Sequence, residues 1–310
     1  MNLQQLEYII AVDTYRHFAT AAEKSFVTQP TLSMMIQKLE DELNVKIFDR
    51  SKQPVVPTLI GEKIIHQARI VLHEAKKIKE IATNNENEIS GEFKLAIIPT
   101  LAPYLLPLFI RQFIRKYPLV KLIVTEMVTE QIIENLKKGN MDAGLLVTPL
   151  NESSIYELAL FYEPFWAYVS EKEKLYHKKY ILPADINPDN LWLLEEGHCF
   201  RSQILNLCEL KKKSESTHFE YAAGSIETLI KLVNQENGIT IIPELATLDM
   251  TAKQKKHLRA FKPPVPVREV SLVMHRFFHK ENIVKAMSKE IKACVPDFML
   301  QNTKTKIVEI

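Results

Sequence analysis

VTQPTLSMMIQKLEDELNVKIFDR, residues 27–50, decides how the first part of this chain folds. Thr28 is placed to cap a helix, and Pro30 falls in the first turn, where its missing N–H does no harm. Leu32, Ile36, Leu39 and Leu43 keep helical spacing. Asn44 tolerates the left-handed conformation that ends a helix. Two shorter helices are predicted before it: LQQLEYIIAV (3–12), with Leu6, Ile9 and Ile10 on one stripe, and the alanine-rich FATAAEK (18–24), which lets a neighbour approach closely.

Short helices joined by tight turns predict a helix-turn-helix. Its exposed face would carry Gln29, Thr31, Ser33, Met34, Gln37 and Lys38, with Thr28 and Pro30 at the leading turn. Amides and hydroxyls can hydrogen-bond base edges and phosphates, and a methionine can lie against a thymine methyl. Lys46, Arg50 and Lys52, followed by the extended QPVVPT (53–58), suit a small wing against the phosphate backbone. The same periodicity also fits a three-helix bundle with a polar face.

Further along, Leu59 to about Ala82 reads as one helix. Ile64, Ala68, Val71, Ala75, Ile78 and Ala82 recur in alternating steps of four and three, a heptad seam. Such a seam needs a partner, either the same helix of a second subunit or the chain's own domains. The polar TNNENEISGE (83–92) reads as a linker.

From Phe93 short apolar runs alternate with amphipathic stretches: FKLAIIP, APYLLPLFIRQFIRKYP, VKLIVTEM, TEQIIENLKKG with Thr129 as N-cap, and MDAGLLV. This βαβαβ order predicts a parallel sheet flanked by helices. A second set follows, EPFWAYVS, LWLLE, a helix after Gly197, HFEYAA, SIETLIKLVNQ capped by Ser225, and GITIIP. The strand VREVSLVMH and a last helix from about Glu281 then return to the first lobe. Thr100 and Thr129 fall at strand-to-helix junctions, where each could line a ligand site or merely cap its own helix.

With 310 residues, 46% hydrophobic and 25% charged, the chain can build proper cores in two or three domains. It shows neither a signal-peptide pattern nor an apolar run long enough to span a bilayer, so a cytoplasmic location with reduced thiols is expected and no membrane partner. A net charge of +2 does not announce a nucleic-acid partner. G-x-G-x-x-G, Walker, H-E-x-x-H and G-x-S-x-G patterns are all missing, so nothing advertises an enzyme.

GHCFRSQILNLC (197–208) holds two of the three cysteines. If 199–209 is helical, Phe200, Ile204, Leu207 and Cys208 share a stripe, which buries Cys208 and leaves Cys199 nearer the cleft. Nine helical rises separate the two by about 13.5 Å, whereas a disulfide needs Cα atoms within about 7 Å. Bonding would therefore unwind the segment, as a redox switch requires. Cys199 at a helix N-terminus beside His198 and Arg201 has surroundings that favour thiolate, with Thr100, Thr129 and His198 as donors to a departing oxygen. The alternatives are two small core residues, or a metal site for which His198, Cys199 and the distant His218 make a thin ligand set. Cys294 reads as a core or surface thiol of the last helix.

The string A-A-x-x-x-x-V-T-Q-P-T-L-S-x-x-I-x-K-L-E-D-E-L-x-V-x-I-F-x-R resembles the DNA-binding signature of the LysR-type transcriptional regulators. Here Asn44 replaces the usual glycine, and Met34 and Met35 stand at often small or polar positions. I-P-T-L-A-P-Y-L-L-P, E-x-G-H-C-x-R-x-Q-x-x-x-x-C, T-H-F and S-I-E-T-L are similar to the peroxide-sensing branch of that family. The resemblance implies an α/β architecture with an all-α N-terminal part. It comprises a winged helix-turn-helix (1–58), a dimerising linker helix (59–90) bearing Ile64, Ala68, Val71, Ala75 and Ile78, and a two-lobed periplasmic-binding-protein-like effector domain (91–310). Lobe I would cover 91–162 and 267–305, and lobe II 163–266. It also implies Cys199 as peroxidatic and Cys208 as resolving residue, with Thr100, Thr129, His198, Arg201 and Arg268 around the pocket. Expected partners are a double-stranded DNA operator, hydrogen peroxide, RNA polymerase, a second or further copies in a homodimer or homotetramer, and thioredoxin or glutaredoxin as reductant, with no cofactor or metal. The rival readings are a regulator answering a small metabolite in the cleft, and a thiol peroxidase.

Overall fold

The computed structural model of the chain describes residues 1–83, 89–195, 199–209, 224–276, 278, 280–301 and 305–308. The chain divides into two units, Met1–Glu88 and Ile89–Ile310.

In the first unit α1 (Leu3–Tyr15), α2 (Phe18–Lys24) and α3 (Gln29–Leu43) precede the two-stranded wing β1 (Phe48–Asp49) and β2 (Val56–Pro57), and α4 (Leu59–Thr83) follows. Thr28 caps α3 by accepting from the Thr31 amide, Pro30 lies in its first turn, and Asn44 ends it at φ 51°. The core is built from Leu6, Ile9, Val12, Ala21, Leu32, Ile36, Leu39 and Phe48.

Helix α4 does not hold its seam free for a partner subunit along its whole length. Ala68, expected at a subunit interface, is buried in this unit's own core, with Ile64 and Val71 packed against its margin. The reason lies in two neighbouring contacts on the same helix. Gly61 sits so close to the Ile47 carbonyl that a Cβ there would collide with it, and Arg69 Nη2 donates to Asp13 Oδ2 at 2.8 Å. Those contacts turn the first half of the seam inward, whereas Ile78 is 69% exposed.

The second unit runs β3 (Gly91–Ile97), α5 (Ala102–Lys116), β4 (Val120–Glu126), α6 (Thr129–Lys137), β5 (Ala143–Thr148), β6 (Ile155–Val169), β7 (Tyr180–Ile181), β8 (Leu191–Trp192), α7 (Cys199–Leu207), α8 (Ile226–Gln235), β9 (Ile239–Pro243), α9 (Ala252–Lys255), β10 (Leu258–Phe261), β11 (Val265–His275), α10 (Glu281–Cys294) and β12 (Thr305–Ile307). One lobe orders its strands β4-β3-β5-β11-β6, with the first three parallel as the βαβαβ pattern predicted. The other places β10 and β9 on β6, with β7 beside β10 and β8 beside β9.

Strand β6 serves both lobes. The sequence suggested a separate strand from Glu163, yet the structure shows fifteen continuous residues. Its first part pairs with β11 as far as Pro164 opposite Val267, and from Phe165 it pairs with β9. Pro164 donates nothing to a ladder, which is tolerated because it stands where one partner strand gives way to the next. Each lobe has its own apolar core. Strand β8 is shorter than the predicted LWLLE, and β10 carried no clear alternating signal. The expected strand HFEYAA (218–223) lies outside the described residues, as do Gly197 and His198.

Candidate functional site

The first unit presents the polar face of α3 to solvent. Thr28, Gln29, Pro30, Thr31, Gln37 and Lys38 are exposed, Met34 is half exposed, and Ser33 is partly covered. Two residues on the basic side differ in role. Lys52 is exposed. Arg50 reaches back, donating from Nη1 to Ser33 Oγ at 3.0 Å and from Nη2 to Glu40 Oε2 at 3.3 Å, with its guanidinium over Phe18. Glu40, 1% exposed, accepts from the Ile47 and Phe48 amides, so one buried carboxylate fastens the wing to α3. Arg50 thus ties the exposed polar face of α3 to the wing as well as contributing charge there.

In the second unit the cysteines occupy different cores. Cys199 opens α7 and packs into the lobe I core. Cys208, just past the last turn, packs into the lobe II core with Phe200 and Ile204. Both thiols are free, and the Cys208 amide donates to the Ile204 carbonyl, so the helix is intact up to Cys208.

Three corrections follow. Cys199 was expected near the cleft and is buried, 8% exposed. Its surroundings were expected to favour thiolate, but burial pushes the Cys199 thiol up. The Thr129 hydroxyl, the positive Arg268 and the Phe200 amide pull it partly back, and Glu130 works against them. The charge expected from Arg201 is spent elsewhere, since Arg201 Nη1 donates to the Leu194 carbonyl at 2.7 Å. His198 lies outside the described residues.

Thr129 was expected to cap α6, but Val128 takes that position and Thr129 is the first helical residue. Its hydroxyl is buried close enough to Cys199 to favour the charged thiol, yet it completes no hydrogen bond of normal geometry. Thr100 does not cap α5 either. It accepts from Arg268 twice, at Oγ1 from Nη1 (3.0 Å) and at its carbonyl from Nη2 (3.1 Å).

Arg268, which only resemblance had suggested, is the centre of the arrangement. Fully buried on β11, it donates from Nε to Glu163 Oε2 at 2.8 Å, its Nη2 lies 2.7 Å from the same oxygen, and its guanidinium stacks over Phe200 at 5.2 Å. The other oxygen, Glu163 Oε1, accepts from the Leu245 amide at 2.8 Å. Sequence reasoning missed Glu163. The signal available was a carboxylate inside the otherwise apolar LFYEPFWAYV, which can be buried there only if paired.

The site therefore brings together Cys199, Thr100, Thr129 and Arg268, adds Glu163, and leaves Arg201 turned toward Leu194. Its chemistry is that of a protonated buried thiol with a hydroxyl and a guanidinium ready to stabilise negative charge. Among the described residues no cluster of His, Cys, Asp and Glu could hold a metal ion, and no helix is long and apolar enough to cross a membrane.

Residues 3–62 match the bacterial regulatory helix-turn-helix protein family named for LysR, and residues 86–293 match the LysR substrate binding domain. A hydrogen peroxide-inducible genes activator of Haemophilus influenzae is 35% identical over 301 residues, 94% of this chain and 98% of that protein. The DNA-binding transcriptional dual regulator OxyR of Escherichia coli is 36% identical over 88% of this chain and 89% of its own length. A full-length OxyR structure from Pseudomonas aeruginosa superposes with a TM-score of 0.77 at 34% identity, covering 95% of this chain and 99% of that one.

Proposed function

Because this chain belongs to the LysR family of helix-turn-helix regulators, we propose that it activates transcription in response to hydrogen peroxide, which it senses through Cys199 and Cys208. The observation that carries the reading is the pairing of a buried Cys199 thiol with the unpartnered Thr129 hydroxyl and the Arg268 guanidinium, while Cys208 waits at the far end of the same helix.

The chemistry balances in two steps. The sulfur of Cys199 attacks one peroxide oxygen, the O–O bond breaks, and the thiol proton leaves with the other oxygen as water, giving a sulfenic acid. The Cys208 sulfur then displaces the sulfenic hydroxyl, which takes the Cys208 proton and leaves as a second water, forming the disulfide. Thr129 and Arg268 stabilise the developing charge on the departing oxygen, and Thr100 fixes Arg268. His198 and Arg201 enter only by resemblance. The second step unwinds α7, since its ends are about 13.5 Å apart while helical. That refolding is the signal passed to the DNA-binding face of Thr28, Gln29, Pro30, Thr31, Ser33, Met34, Gln37, Lys38, Arg50 and Lys52.

Domain limits at 58 and 90, a dimer or tetramer on operator DNA, RNA polymerase as target, and thioredoxin or glutaredoxin as reductant complete the proposal. The test is stoichiometric peroxide on the reduced protein, followed by peptide mass spectrometry. A rapid Cys199–Cys208 crosslink, reversed by thioredoxin or glutaredoxin, is expected. Two thiols left free, or modification confined to Cys294, would overturn it and direct attention to a small ligand between the lobes.

A further inference from the structure

We infer that Glu163 is a positioning residue for Cys199: by holding Arg268 in a buried ion pair it withholds the guanidinium's charge from the thiol and so sets the threshold at which Cys199 reacts. The inference rests on Cys199 being the reactive thiol of the proposed sensor.

Glu163 and Arg268 are both fully buried, so neither charge is screened by solvent. One carboxylate oxygen faces both Nε and Nη2 of Arg268, and the other is anchored by the Leu245 amide, so Glu163 cannot swing away without stranding a buried N–H. On its other edge Arg268 is held by Thr100 through side chain and backbone, and Phe200 covers its face. Phe200 directly follows Cys199, so the guanidinium is locked beside the start of α7.

The pair is neutral as a whole. Of the charges that act on the Cys199 sulfur, Arg268 favours the thiolate and Glu130 opposes it, and Glu163 bears on the sulfur by engaging the Arg268 guanidinium. Arg268 favours the thiolate, but burial outweighs it. A sensor that must ignore other oxidants until peroxide arrives gains from a thiol that stays protonated. Glu163 supplies that restraint while neutralising a guanidinium that could not otherwise be buried. Removing its charge while keeping its shape leaves Arg268 free to act on the sulfur, and each pH unit by which the thiol's midpoint falls raises its thiolate fraction about tenfold below that midpoint.

The experiment uses the full-length protein with Cys208→Ser and Cys294→Ser, so that Cys199 alone reacts, and follows its alkylation by iodoacetamide from pH 6 to 10 by mass spectrometry. The plateau reads access to the buried sulfur, and the midpoint reads its charge. Glu163→Gln is expected to shift the midpoint to lower pH and speed alkylation at pH 7 by about tenfold. In an Arg268→Gln background the same change should alter the rate less than about twofold, because Glu163 acts through Arg268. Glu163→Asp, kept as the variant that retains the charge should the first fail to fold, should fall between wild type and Glu163→Gln. An unchanged or raised midpoint, or an acceleration that survives loss of Arg268, would overturn the inference. Alkylation needs no peroxide, so a Cys199 that obeys these rules but does not oxidise would sink the sensor reading and leave this one standing.

Discussion

Thr129 carries a hydroxyl that is buried and makes no regular hydrogen bond, and such groups destabilise a fold by about 1–3 kcal/mol. Thr129→Val keeps the shape and removes the polar atom. It should stabilise the protein by about 1 kcal/mol. The same variant should slow Cys199 oxidation by about 10²-fold, the usual loss on deleting one donor to a developing oxyanion. Thermal denaturation and stopped-flow oxidation check the two opposite signs, and equal oxidation rates would remove Thr129 from the site. Cys208 has a different signature. Burial pushes its thiol up from near 9.0 to about 11, so the folded state holds its proton longer than the unfolded chain does. The resulting stability is fully present below about pH 9, the unfolded value, and is lost as pH rises through about 11. Urea titrations at pH 8 and 10.5 should show a steeper loss for wild type than for Cys208→Ala.

Helix α7 joins the two cysteines, and its stability opposes the disulfide. Ser202 is exposed on that helix, so substitution there changes helix propensity with little effect on packing. Ser202→Gly and Ser202→Ala differ by about 1 kcal/mol in helix propensity, which corresponds to about a fivefold difference in the rate of disulfide closure. The glycine variant should close faster and the alanine variant slower, with the sulfenic acid step unchanged. Rapid quench followed by mass spectrometry separates the steps, and identical closure rates would mean that α7 does not unwind. The element also shows where sequence reading misjudged the site. Chain neighbours of Cys199 were assigned the charge that acts on it, but Arg201 turns to the Leu194 carbonyl and, among the described residues, the cation that acts on the thiol is Arg268. Adjacency along a helix does not give adjacency at one atom, because successive side chains leave in different directions.

At the scale of the whole molecule, Ile78 on α4 is exposed while Ala68, about three helical turns earlier, is sealed in its own unit. The proposed subunit contact must therefore use the later part of the seam, Ala75 and Ile78, with Ile64 and Val71 at its edge. Ile78→Asp should shift sedimentation toward monomer and weaken operator binding while the fold remains. Ala68→Asp, by contrast, should unfold the first unit, which circular dichroism would report. An Ile78→Asp protein that stays fully dimeric would exclude α4 as the contact.

The helix-turn-helix was legible in the sequence because its signals are local: the Thr28 cap, Pro30 in the first turn, left-handed Asn44, and apolar residues at helical spacing. So were the βαβαβ order and α8 with its Ser225 cap, since periodicity and capping involve residues only a few positions apart. The conflict between an intact helix and a Cys199–Cys208 bond also follows from spacing alone. The environment of Cys199 does not. Its burial in the lobe I core and the Glu163–Arg268 pair depend on which strands pair and in what register, and the inward turn of Ala68 depends on the contacts of Gly61 with Ile47 and of Arg69 with Asp13. β6 runs through both lobes and sets Glu163 opposite Arg268. Tertiary packing decided these points, because burial and charge pairing join groups far apart in the chain, and no local pattern records which of them will meet.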